Sequence, residues 1–211
     1  MQPHIRVGSL EVGEPATLLS DLIMAGLSFW FAARLASGDA DSTRRWWRRV
    51  FALIGAGAFA GGLWHGFHAM MSPLVDSALW RLCLLLSVAS SLCLWQAAVF
   101  RCPLKADSNP LSHLGWIKAC SAAVLAGLWP DFLAVLADFS LTMLLLGWKV
   151  FQTRSERPQG TRLLWAGIAT FVVGGLVQQA RLTPHPYFNH NDLFHVIQLL
   201  GNTLFFLGAR R

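Results

Sequence analysis

Charge is scarce in this sequence: 13% of its 211 residues are Asp, Glu, Lys or Arg, against 55% that are hydrophobic. Soluble domains carry about twice that share of charge, and a mean hydropathy of +0.48 points the same way. The chain reads as an integral membrane protein. Paired cysteine motifs are missing too. Cys83, Cys93, Cys102 and Cys120 form no CxxC, and three of the four lie inside apolar runs, so they read as small buried hydrophobes. No basic segment leads into a short apolar one at the start, so no cleavable signal peptide is expected and the first span directs insertion. No internal repeat, low-complexity tract or second domain is visible. Nucleic acid is excluded as a partner despite a formal charge of +6, because the basic residues sit in short runs between apolar segments.

The apolar segments themselves supply the fold. A hydrocarbon core about 30 Å thick needs about 20 helical residues to cross it. Seven stretches meet or approach that length, at about 15 to 36, 48 to 70, 76 to 100, 113 to 130, 131 to 149, 162 to 182 and 190 to 208. The expectation is one all-α domain, a bundle of seven transmembrane helices. Glu14-Pro15 opens the first span, where proline is tolerated and an acid complements the helix dipole. Ser72-Pro73, Trp129-Pro130 and the pair Pro184 and Pro186 mark other boundaries.

Lysine and arginine alternate between the two ends of these spans. One side carries Arg44, Arg45, Arg48, Arg49, Arg101, Lys105, Lys149, Arg154, Arg157, Arg162, Arg210 and Arg211. The other has Arg6, with Arg81 and Arg181 towards helix ends. The positive-inside rule places the amino terminus outside and the carboxyl terminus in the cytoplasm. Trp46, Trp47, Trp129 and Trp148 fall near the expected interfaces, and Gly55-Ala56-Gly57-Ala58 and Gly174-Gly175 offer close helix approach. Lys118 is expected to snorkel to the cytoplasmic interface, Asp138 to pair with Arg81, and Gln178 and Gln179 to bond between helices.

Ionisable groups are costly in hydrocarbon, so a cluster of them at the mouth of the last span, His190-Asn191-Asp192-Leu193-Phe194-His195, points to a site. With the orientation above, His65 and His68 arrive at the same outer layer, roughly 25 to 30 Å along the second helix. Asp76 opens the third helix there, and Glu14 and Asp21 share a face of the first, seven residues apart. Histidines and carboxylates from separate helices make a plausible zinc site, whose bound water becomes a nucleophile near neutral pH. The competing reading is a structural hydrogen-bond network near the interface.

The arrangement resembles the superfamily of seven-helix membrane hydrolases that includes alkaline ceramidases and the adiponectin and progestin receptors. In the ceramidases a second-helix histidine precedes an aspartate by eleven residues, as His65 precedes Asp76; the seventh-helix HxxxH falls here on Asn191 and His195. Glu14 and Asp21 are similar to the family's first-helix acid and polar group, and HNDLFHVIQ resembles a motif of small bacterial membrane proteins. Two positions depart from the pattern. Asn191 replaces the first histidine of HxxxH, with His190 beside it, and Gly61 stands where the family has serine. The resemblance implies a zinc-dependent hydrolase of a lipid amide or ester in a bacterial inner membrane, its site facing the outer side. His65 and His195 would then bind zinc, with His190, Asn191, His68 or Asp192 completing the shell, Asp76 and Asp192 in catalytic roles, and Glu14 and Asp21 supporting. A non-catalytic receptor or scaffold, and a bis-histidine haem protein, are the alternatives.

Overall fold

The computed structural model describes residues 5–36, 41–101, 110–156 and 158–210. Cys102, Lys105, Arg157 and Arg211 lie outside the described residues. A small antiparallel hairpin, β1 (Ile5–Val7) and β2 (Leu10–Val12), turns at Gly8, whose φ of 64° is the left-handed conformation glycine adopts freely. Seven helices follow: α1 (Pro15–Ala36), α2 (Ser42–Phe67), α3 (Pro73–Phe100), α4 (Pro110–Leu128), α5 (Phe132–Gln152), α6 (Pro158–Ala180) and α7 (His190–Ala209). A single 3-10 turn, His68–Met70, extends α2. All seven are long and apolar enough to cross a membrane.

Local chemistry sets the helix ends. α1, α3, α4 and α6 begin on proline, whose missing N–H would be unpaired there in any case. Asp41 caps α2 by accepting from Arg44 N at 2.7 Å, and Asp131 caps α5 by accepting from Leu133 N at 2.7 Å. α6 stops at Arg181, which takes a φ of 50° and turns the chain towards α7.

Each helix buries a stripe and leaves the rest to lipid. In α4 the buried positions are Gly115, Ala119, Ala122 and Ala126, while Trp116, Ile117, Val124 and Leu128 face outward. A Cβ at Gly115 would lie 2.4 Å from the Trp95 ring, which is anchored by its Nε1 donating to Leu111 O at 2.7 Å. Gly115→Ala is therefore expected to destabilise the bundle by about 1–3 kcal/mol, read as a lowered unfolding midpoint in detergent.

An aromatic cluster joins α1, α2 and α7 at the end of the bundle where α1 and α7 finish. Phe31 stacks on Phe206 at 4.3 Å between centroids and meets Phe51 edge-on at 5.3 Å, and Trp47 packs on Phe51 and Phe205. Trp47 is therefore a core residue, only 2% exposed, and not the interfacial anchor its position suggested. Trp129 and Trp148 are exposed as expected, and the glycines of Gly55 and Gly174-Gly175 do seat neighbouring helices, against Phe29, Phe194 and Leu136.

Two expectations about buried charge are corrected. Asp138 pairs with Lys118, not with Arg81. Lys118 Nζ also donates to Ser91 Oγ at 3.2 Å and to Asp138 O at 3.3 Å, and Ser91 bonds Thr142 at 2.8 Å. Lys118 cannot snorkel, because it sits about 12 to 15 Å from either end of α4 on the face packed against α3 and α5. Arg81 instead donates to Gly127 O at 3.2 Å and to Ser77.

Candidate functional site

The site is built at the opposite end, where α1 and α7 begin and α2 and α6 end. The backbone brings Glu14 to His65 first. Gly13 N donates to Gly66 O at 2.9 Å and Glu14 N to His65 O at 3.2 Å, stitching the start of α1 to the last turn of α2. The side chains then pair, with His65 Nδ1 2.9 Å from Glu14 Oε2. Burial pushes the Glu14 carboxyl up, but the His65 bond and charge, with hydrogen bonds from Thr17 and Asn191, outweigh it and hold the group down at about 2.

That depression has a sign that can be tested. A carboxyl lowered from 4.5 in the unfolded chain to about 2 contributes stability in full above pH 4.5 and loses it as pH falls towards 2. Thermal unfolding in detergent is expected to weaken across that window, and Glu14→Gln to flatten that part of the profile.

α7 starts with a capping box. Asn189 Oδ1 accepts from Asn191 N at 2.7 Å and Asp192 N at 3.3 Å, and Asp192 Oδ2 accepts from Asn189 N at 2.7 Å. Asp192 is fully buried, and its other oxygen lies 2.9 Å from the Thr17 hydroxyl, whose one proton is shared between it and Glu14 Oε2 at 3.0 Å. Its carboxylate thus anchors α7 against α1. Asn191 links three helices, accepting from Gln178 Nε2 at 3.0 Å and donating to Glu14 Oε2 at 3.5 Å. The expected interhelical role of Gln178 is what the structure shows.

His195, 8% exposed, lies one turn further into the bundle. Its Nδ1 is 3.0 Å from Ser20 Oγ, and Ser20 Oγ is 3.0 Å from Thr17 O. Ser20 has a single proton, and the carbonyl can only accept, so Ser20 donates to Thr17 and receives Nδ1–H. That tautomer leaves the Nε2 lone pair turned towards Asp21 Oδ1, 3.6 Å away. Asp21 is 3% exposed, and its Oδ2 has no hydrogen-bond partner among the described residues. The His65 and His195 rings stand edge to face, 6.3 Å between centroids.

A cavity of about 510 Å³ opens between these groups and continues down the bundle among apolar side chains of α2, α3, α5 and α7. Of the residues expected to form the site, Glu14, Asp21, His65, Asn191 and His195 line it. His68, Asp76, His190 and Asp192 do not. His68 stacks on Trp64 of its own helix at 4.9 Å, and Asp76 accepts from Trp64 Nε1 at 2.9 Å, tying α3 to α2. Glu14 and Asp21, expected to play supporting parts, hold the central positions. Thr17 and Ser20 were not singled out from sequence, although with Asp21 they form one polar face of α1, a signal that could have found them.

Zinc takes three or four nitrogen, oxygen or sulfur ligands at once. Among the described residues, no three His, Cys, Asp or Glu side chains come together to hold a metal ion. The donors as placed do not fit one, and what they form instead is a pair of carboxylate–imidazole couples facing one cavity.

A family model described as a family of unknown function, DUF6962, matches residues 16–211. No curated protein and no solved structure matches the chain.

Proposed function

The chain belongs to the DUF6962 family of unknown function, and we propose that it works as a membrane-embedded hydrolase of a lipid amide or ester. The observation that carries this reading is the meeting of Glu14–His65 and Asp21–His195, from three helices, at one cavity that is otherwise mostly apolar. A dry cavity of that size suits an acyl chain, and the two couples suit proton transfer at a carbonyl placed between them.

In this mechanism a water molecule sits against His195 Nε2 and Asp21. His195 takes its proton as the water attacks the carbonyl carbon, with Nδ1 fixed on Ser20. His65, paired with the Glu14 carboxylate, gives a proton to the leaving nitrogen or oxygen. Asp21 and Glu14 take the roles that the sequence pattern offered to Asp76 and Asp192, whose carboxylates are held by Trp64 and by the cap of α7. The amino terminus lies outside and the site faces the periplasmic side of a bacterial inner membrane, as the arginines at the start of α2 support.

The test is hydrolysis by purified protein in lipid nanodiscs of a panel of N-acyl amides and acyl esters, with and without a zinc chelator. Turnover that persists in chelator is the expected result. Turnover abolished by chelator and restored by zinc, with about one zinc per chain lost in a His195→Ala variant, would return the reaction to the metal-dependent form that the family resemblance implies.

A second reading, a non-catalytic receptor or scaffold, is favoured by how many polar groups here hold helices together: Asp192 caps α7, Asp76 ties Trp64, and Asn191 bridges Glu14 and Gln178. It requires tight binding of a lipid with no turnover of any amide or ester.

A further inference from the structure

Below the head of the cavity, α7 continues the line begun by Asn191 and His195 with Gln198, Asn202 and Phe205, all of which line the cavity. Spacings of three and four residues keep them on one face. The outward face of α7 is the opposite one, where Val196 and Leu200 are 49% and 55% exposed. Gln198 and Asn202 therefore owe their partial exposure to the cavity, and neither amide has a hydrogen-bond partner among the described residues. Along the helix axis they stand about 4.5 Å and about 10.5 Å below His195. An amide that deep in a membrane bundle normally bonds to a neighbouring helix. These two face open space instead.

Three hydroxyls line the same cavity, and each gives its proton to its own helix. Ser87 Oγ donates to Cys83 O at 2.9 Å, Ser90 Oγ to Ser87 O at 2.8 Å, and Thr170 Oγ1 to Gly167 O at 2.7 Å. They are left as acceptors. Much of the remaining wall is apolar, with Ile54, Leu94, Met143 and Phe171 among it. The polar line does not run on to the other end of the bundle, as a water or ion path would. It stops at Phe205, whose ring packs on Trp47 at 5.9 Å and against Gly167. The occupant that fits is long and apolar, except along one edge where it both donates and accepts hydrogen bonds.

We propose that the lipid chain held in this cavity is hydroxylated, and that Gln198 and Asn202 select it. A hydroxyl can give to an amide oxygen or accept from an amide nitrogen, and it can give to the serine and threonine oxygens. A plain alkyl chain displaces water from both amides and returns no hydrogen bond, so each buried amide counts against it. Which hydroxyl meets which amide rests on the proposed function, because the carbonyl then sits at His195. Gln198 meets a hydroxyl close to the carbonyl, and Asn202 one further down the chain.

The experiment uses the full chain in detergent with dodecanamide and with the same amide hydroxylated on its third or its ninth carbon. Affinity is read by native mass spectrometry, where the mass of the bound species also tells intact amide from hydrolysed acid. Each hydroxylated amide is expected to bind about tenfold more tightly than dodecanamide, the scale of one buried amide left unpaired. Gln198→Met should remove the gain from the third-carbon hydroxyl alone, and Asn202→Leu the gain from the ninth-carbon hydroxyl alone. Both variants should bind plain dodecanamide at least as tightly as the parent, which also reports that they fold. Equal affinity for the three amides in the parent, or a hydroxyl preference that survives in both variants, overturns the proposal. A reversed pairing of variant and hydroxyl upholds the preference and overturns the placement of the carbonyl at His195. Hydrolysis of none of the amides counts against the proposed reaction, while the affinities still decide the hydroxyl preference.

Discussion

Protein carrying His195→Ala is expected to lose about 10²- to 10⁴-fold in turnover of the lipid amide or ester, the usual contribution of a positioned general base. The loss should fall on kcat more than on KM. In the proposed mechanism His195 would meet the attacking water through one nitrogen, while the apolar side chains that line the lower cavity would hold the acyl chain. His195 is 8% exposed, so the alanine also leaves a void. His195→Gln, closer in volume but unable to take up a proton, separates the two effects: it should fold like the parent and lose turnover like the alanine. His65→Ala belongs to the same cycle. If the two imidazoles act on one carbonyl, the double variant loses much less than the two single losses multiplied. Turnover within a few fold of the parent in His195→Gln sinks the proposed mechanism.

The other large effect is expected far from that chemistry. Lys118→Met should destabilise the bundle by about 3–5 kcal/mol, because it strands a buried carboxylate. Asp138 is 3% exposed, its Oδ2 already lacks a partner among the described residues, and Lys118 is the cation at its other oxygen. Asp138→Leu should cost a similar amount by stranding the ammonium. Combining the two removes both charges, leaves Ser91 and Thr142 bonded to each other, and should recover most of the loss. Denaturant titration in mixed micelles measures all three. A double variant as unstable as either single would mean that the pair itself, and not the penalty of an unmatched charge, holds α3, α4 and α5 together.

The seven helices were legible because each is a long apolar run closed by proline or a capping side chain, and hydropathy needs no knowledge of neighbours. The boundaries at Pro15–Ala36 and at His190 were legible for the same reason. The hairpin at Ile5–Val12 was not, since two three-residue strands leave too little periodicity to read. Lys118 and Asp138 show a different limit. Which cation meets a buried acid depends on the face one helix turns to another, and α4 has so little hydropathy contrast around its circumference that its inward stripe is one of small residues. The stretch from His190 to His195, singled out from sequence as one motif, divides in the structure into two parts. Its first turn must satisfy the free N–H groups of a helix end, and Asp192 does so, while His195, one turn on, is free to face the cavity. Asn189, the cap itself, stood just outside the motif as read from sequence.

α1, α2 and α7 are pinned at both ends, by the Phe31, Phe51 and Phe206 rings at one and by Glu14–His65 and Thr17–Asp192 at the other. They form a stiff half-shell. On the far side the cavity wall is a seam between α5 and α6, made where Phe139 stacks on Phe171 at 5.5 Å and where Leu136 lies against Gly175, which offers no side chain to lock it. Under the proposed function, that seam is where a lipid would enter sideways from the bilayer, and a bulkier side chain at Gly175, whose first carbon would already lie 3.3 Å from Leu136, is expected to slow its exchange, read as a lower rate of ligand release from the purified protein.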